Sequence, residues 1–103
     1  MNILGTKYMV IRDESLLNEN LDGVEQKYSK VIRIVPKEKM LNSDSSEAEK
    51  TLRYKEVLKH EIIHAFFDEA GLSNYSGNEQ LVDWLAVQIP KMCDVFKEQN
   101  CLD

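Results

Sequence analysis

His60 and His64 are the only two histidines in the chain, and Glu61 directly follows the first. On an α-helix a four-residue step turns about 40° and rises about 6 Å, so both imidazoles leave one face, one turn apart. That geometry lets two ring nitrogens bind one tetrahedral zinc ion at about 2.0–2.1 Å each. Glu61 lies about 100° further round, near the metal but out of line with the pair. A carboxylate there can hold and deprotonate a metal-bound water, which is the chemistry of metal-assisted hydrolysis. A lone histidine on a helix is usually a surface or core residue, and short motifs do match by accident. With two histidines in a chain this long, the full pattern arises by chance in roughly 0.2% of sequences.

A catalytic zinc needs a third protein ligand and one open position. No histidine remains, and Cys93 and Cys101 lie far along the chain, so a carboxylate must serve. Asp68 and Glu69, just after the motif, are candidates, as is Glu79 beyond the next turn. Asp68 sits one turn past His64 and could instead accept a hydrogen bond from it. For Glu79 a capping role competes, because Ser76-Gly77-Asn78-Glu79 fits a capping box.

The flanks narrow the choice by resemblance. Val57, Leu58, Ile62, Ile63, Ala65 and Phe66 fill the uncharged places of the long zinc-protease signature, and Lys59 falls where any residue is allowed. The stretch therefore resembles zincins. Asn78-Glu79-Gln80-Leu81-Val82-Asp83 resembles the N-E-x-x-x-D element of gluzincins, whose third ligand is a glutamate on a second helix. That resemblance implies Glu79 as the ligand and Asp83 as the acceptor that orients a ligand histidine, His60. The run from Glu79 to Pro90 also resembles the E-x-x-A-N-x-F-A-x-x-L-L-x-P stretch of ImmA/IrrE metallopeptidases, with Asp83 where Asn is usual and the proline one residue early. The H-E-I-I-H-A-F and V-D-W-x-A-x-Q stretches are similar to those of small phage- and prophage-encoded metallopeptidase-like proteins. The match covers roughly residues 50–92; the extra N-terminal helix and further domain common in ImmA/IrrE proteins have no counterpart here.

The elements that must position these residues can be read from pattern. Residues 3–12 are rich in β-branched and aromatic types and read as a first strand, with Gly5 its weak point. Asp13–Leu21 is polar and mixed, and Asn20–Gly23 is a turn. Val24–Tyr28 reads as a short second strand and Ser29–Val35 as a firmer third, ended by Pro36. The third strand is too apolar to have a wet face, so a helix should cover it. Ser43–Ser46 offers N-caps for a helix running to Ala70, with Gly71 as C-cap and the motif in its second half. Leu72–Gly77 reads as a loop, and a second helix starts near Asn78, with Leu81, Val82, Leu85, Ile89 and Met92 as its buried stripe. Pro90 should kink or end that helix. The fold class is α+β: a small antiparallel or mixed sheet of about three strands packed on an active-site helix and a glutamate-bearing one, the arrangement the resemblance implies for a minigluzincin.

At 103 residues this is one small domain. A net charge of −5 leaves no basic stripe, which argues against nucleic acid as partner. No apolar run approaches the ~20 residues of a membrane span and the N-terminus lacks a signal peptide's apolar region, so a cytoplasmic location is expected. If both lie on one helix, Cys93 and Cys101 stand about 12 Å apart, too far for a disulfide, and reduced thiols are expected. The expected function is that of a zinc metalloendopeptidase acting on a peptide or protein, a repressor among the candidates. Glu61 is its general base, and Tyr75, in the loop between the ligand helices, the candidate oxyanion donor. Extended substrate would add to a sheet edge at Val31–Val35. The alternative is a zinc-binding regulatory protein that docks a partner without cutting it.

Overall fold

The computed structural model describes residues 1–103 and is α+β. Two short strands, β1 (Asn2–Ile3) and β2 (Thr6–Lys7), form an antiparallel ribbon. They turn at Leu4 and Gly5, both at positive φ. The expected single strand over residues 3–12 is therefore broken at Gly5, where a left-handed backbone is cheapest for glycine. Its remainder is β3 (Met9–Arg12). Asp13 then caps a 3₁₀ turn over Glu14–Glu19 by accepting from the Ser15 amide, and Leu16 from this turn enters the core.

β4 (Gly23–Gln26) and β5 (Val31–Ile34) complete a three-stranded mixed sheet in the order β3-β5-β4. β5 is thus the central strand, parallel to β3 and antiparallel to β4. Its position explains its apolar run: Ile32, Ile34 and Val35 are fully buried. It also corrects the expected substrate edge, because both sides of β5 are already paired and the sheet's edges are β3 and β4.

One face of the sheet packs on α1 (Glu47–Glu69). Ser46 and Glu49 form a capping box at its start. At its end, Leu72 N–H bonds to Phe67 C=O and Gly71 N–H to Asp68 C=O, with Gly71 at φ +75°. That is a Schellman stop. Two apolar clusters lie between helix and sheet. Val57 meets Leu16, Ile34, Val35 and Met40; Ala65 meets Ile3, Tyr8 and Ile32.

The expected loop at Leu72–Gly77 contains one turn of helix, α2 (Ser73–Ser76), before Asn78 caps α3 (Glu79–Glu98). Pro90 lies inside α3 and neither ends it nor frays the turns beyond. Proline removes one N–H from the ladder, and the helix continues through Lys97. No helix is long and apolar enough to cross a membrane. Cys93 and Cys101 are both free thiols.

Candidate metal centre

α1 carries two functional stripes side by side. Val57, Glu61 and Ala65, at four-residue spacing, are its buried residues and face the sheet. His60 and His64, one step round, face the start of α3. The turn through α2 and the Asn78 cap place the first residue of α3, Glu79, directly over them. The Asn78 side chain accepts from the Leu81 amide, so the cap is made without Glu79. The Ser76–Glu79 capping box does not form, and the glutamate is left to the histidines.

Three ligand atoms converge. His60 Nε2 and His64 Nε2 are 3.0 Å apart. Glu79 lays one carboxylate oxygen 2.9 Å from His60 Nε2 and the other 3.1 Å from His64 Nε2. With bonds of about 2.05 Å, neighbouring donors of a tetrahedral zinc stand about 3.3 Å apart. The observed triangle is within a few tenths of an ångström of that size. His60, His64 and Glu79 lie close enough together to hold a metal ion.

The outer nitrogens decide the character of these atoms. His60 Nδ1 lies 2.8 Å from Asp83 Oδ1, and a carboxylate can only accept, so this nitrogen carries the proton. His64 Nδ1 lies 3.0 Å from Ser76 Oγ. The Ser76 hydroxyl donates to the His64 carbonyl at 3.4 Å, which leaves its oxygen to accept from Nδ1–H. On this hydrogen-bond pattern both Nε2 atoms present lone pairs. Two lone pairs and a carboxylate pointed at one spot repel one another unless a cation sits among them. The donor set therefore fits a divalent metal by its chemistry as well as its spacing.

Glu61 stands beside this triangle, with Oε2 4.0 Å from His60 Nε2 and the residue 8% exposed. Burial raises its pKa above the ordinary carboxylate value. The His60 and His64 imidazoles and the Glu25 backbone N–H act the other way, while Glu79 adds to the rise. Next to it, β4 crosses α1 so closely that a Cβ on Gly23 would lie 2.7 Å from Val57 Cγ1 and 3.2 Å from Glu61 Cγ. Glycine is required here for approach, not for φ. Since Asp22 C=O accepts from Val35 N–H, the alternating ladder turns the backbone groups of Gly23 and Glu25 away from β5. They face a cleft of about 450 Å³ lined by Leu21, Gly23, Val24, Glu25, His60, Glu61, His64 and Glu79. A second hollow of about 500 Å³ shares Leu21, Gly23, His60 and Glu61 and continues between Arg53 on α1 and Val87 on α3. Together they make one groove running beside the sheet edge.

The competing carboxylates serve elsewhere. Glu69 accepts from Thr6 Oγ1 and Tyr8 Oη and pairs with Lys30, which holds its pKa low. Asp68 lies beside Glu25, and the outer nitrogen of His64 is taken by Ser76. Burial and that shared contact raise Glu25 to about 7, while the Tyr8 hydroxyl donates to it at 3.0 Å. Burial, with both glutamates beside it, also pushes the Tyr8 phenol up.

Tyr75 is not brought to the site. It lies on α2, half exposed, with its ring stacked on Phe67 at 5.9 Å, and it lines neither part of the groove. The expected oxyanion role is corrected to packing. Ser76 and Gly23 are site residues that the sequence does not reveal. The only pattern Ser76 carries is a capping box that does not form, and its real partner, His64, lies across a chain reversal. Gly23 looks like turn punctuation, and only the strand–helix distance shows its use. No protein-family model, no curated protein and no solved structure matches the chain.

Proposed function

We propose that this protein is a zinc-dependent metalloendopeptidase of gluzincin type, with Glu61 as general base. The observation that carries the reading is the convergence of His60, His64 and Glu79, with both outer ring nitrogens committed to Ser76 and Asp83. Zinc held by these three residues would supply a Lewis acid that polarises a scissile carbonyl and acidifies a water molecule. Asp83 and Ser76 keep both imidazoles in the tautomer that ligates. Glu61 takes a proton from the attacking water and passes it to the leaving amine as the C–N bond breaks. Its burial raises its affinity for that proton, which suits both halves of the transfer. The outward backbone groups of Gly23 and the outward carbonyl of Glu25 suit an extended peptide added to the β4 edge. The similarity of the H-E-I-I-H-A-F and V-D-W-x-A-x-Q stretches to small phage-encoded proteins supports a phage or prophage origin, and the resemblance to ImmA/IrrE proteins makes a repressor the first substrate to try.

One observation favours a second reading, a zinc-binding regulator that does not cut. With Tyr75 turned to packing, no tyrosine lines the groove to help the metal with the oxyanion. Metal analysis and proteolysis of the parent and Glu61→Gln proteins separate the two. The enzyme reading expects about one zinc in each and cleavage of repressors or unfolded casein by the parent alone. Equal cleavage by both would remove Glu61 as base, and cleavage by neither would favour the regulator. Zinc retained after both histidines are changed to alanine would end both readings.

A further inference from the structure

α3 is thinly anchored. Of its 20 residues only Val82 and Ala86 are buried, both in its first half. Neither belongs to the two apolar clusters between α1 and the sheet, which contain no residue of α3. The helix packs on α1 and the short α2. A helix of this length has little stability in water by itself, and Pro90 leaves it one hydrogen bond short.

What else ties α3 down is polar and runs through the metal cluster. Every side-chain ion pair or hydrogen bond between α1 and α3 joins His60 or His64 to Glu79 or Asp83. The Glu79 and Asp83 side chains are 64% and 71% exposed, so water solvates both carboxylates readily when α3 parts from α1. At so exposed a carboxylate the Asp83 bond to His60 is worth little. The Nε2 lone pairs and the Glu79 carboxylate repel one another unless a cation sits among them, and a divalent ion turns the same three groups into a tie. α3 is also a wall of the hollows beside the cluster. Asp83, Ala86 and Val87 line the one next to the sheet edge. Leu85, Ile89 and Pro90 line an apolar one of about 560 Å³ against Ile63 and Phe66 of α1.

We infer that Glu79 is a metal-dependent latch. With the ion bound, α3 is clamped on α1 and both hollows are complete; with the ion removed, α3 opens as a unit while α1 and the sheet stay folded on their own clusters. The latch rests on the metal reading of His60, His64 and Glu79 and adds regulation to it, because metal then assembles the binding groove itself.

Hydrogen exchange of the full chain, read by mass spectrometry beside a zinc titration of the same sample, tests the latch. In chelator, the amides of α3 from Asp83 onward should exchange at least about 10-fold faster than those of β5, the central strand. Zinc at 100 times its Kd suppresses an opening that frees all three ligands by roughly 100-fold, and by less where the two histidines keep some hold. The α3 amides should therefore slow by about 10-fold or more. Glu79→Ala, at the same excess over its own Kd, should lose most of that slowing, because both remaining ligands lie on α1; the helix start survives, since Asn78 caps it. α3 as well protected as β5 in chelator would overturn the latch, as would full slowing in the Glu79→Ala protein. One bound zinc per chain with α3 exchange unchanged would overturn the latch and leave the metal centre standing. No bound zinc would remove both.

Discussion

Replacing Ser76 with alanine removes the acceptor of the His64 Nδ1 proton together with the long 3.4 Å hydrogen bond that its hydroxyl donates to the His64 carbonyl. The residue is 7% exposed, and its oxygen lies 3.0 Å from that nitrogen. An unpartnered buried donor costs about 1–3 kcal/mol. Metal-free protein has an escape: His64 can move its proton to Nε2 and donate to the Glu79 oxygen 3.1 Å away. The loss of stability without metal should therefore sit at the low end, about 1 kcal/mol, or roughly 4–8 °C in Tm.

The same escape is what harms the metal site. A protonated Nε2 has no lone pair to give, so zinc must first reverse the tautomer and strand Nδ1–H in a buried place. The expected loss in zinc affinity is about 10–100-fold, or about 1.4–2.8 kcal/mol. Competition against a chelator of known affinity measures it, beside thermal unfolding of the metal-free protein. Ser73→Ala, exposed on the same short helix, should change neither. If Ser76→Ala binds zinc within about threefold of the parent, Ser76 does not set the tautomer of His64 and the ligand geometry needs another explanation.

Glu79→Gln should lower zinc affinity by more than about 100-fold with almost no loss of stability, since Asn78 already makes the cap; Asp83→Asn, at an exposed site, should cost about 10-fold. An unchanged affinity in the Glu79 variant would send the search for the third ligand elsewhere. Glu25 gives a pH signature. Its pKa in the fold is raised to about 7 from 4.5, so its contribution to stability is full below about pH 4.5 and lost as pH rises through 7. Glu25→Gln should therefore raise Tm relative to the parent at about pH 8 more than at about pH 4, and an equal shift at both would show that the carboxyl is not held protonated. Gly23→Ala should cost about 1–3 kcal/mol by overpacking Val57 and Glu61, read from urea unfolding; a neutral result would mean that β4 can back away from α1.

Much of the fold is legible in the sequence because local signals agree with tertiary need. Ser46, Glu49 and Gly71 bound α1 in the sequence as they do in the structure. Where local signals mislead, a contact far along the chain has decided. Residues 3–12 have the composition of one strand, but Gly5 allows a reversal and packing of Ile3 and Tyr8 rewards it. β5 has the composition of a buried strand, yet composition is silent on whether a buried strand is central or marginal. Only the pairing with both β3 and β4 settles that, and it moves the open edges to those outer strands, of which Gly23–Gln26 borders the histidine cleft. Pro90 points to a break by its chemistry alone. The missing hydrogen bond is real, but one lost bond does not end a helix whose dihedral angles proline already matches.

The site divides along the same line. The histidine pair is readable because four residues of one helix fix their relation before any folding is known. Asp83 can be placed under His60 by resemblance, and it stands there at 2.8 Å. Ser76 is the counter-example, performing for His64 the task that Asp83 performs for His60. It does so from the far side of the Schellman stop, where the direction of a side chain depends on how α2 is seated. A carboxylate announces itself as a partner for histidine, whereas a serine needs burial and a second bond to become an acceptor. Its hydroxyl acts as one only because the His64 carbonyl, on the preceding helix, takes its proton. The tautomer of a ligand histidine, and with it the affinity for metal, thus rests on a contact that no short motif can encode.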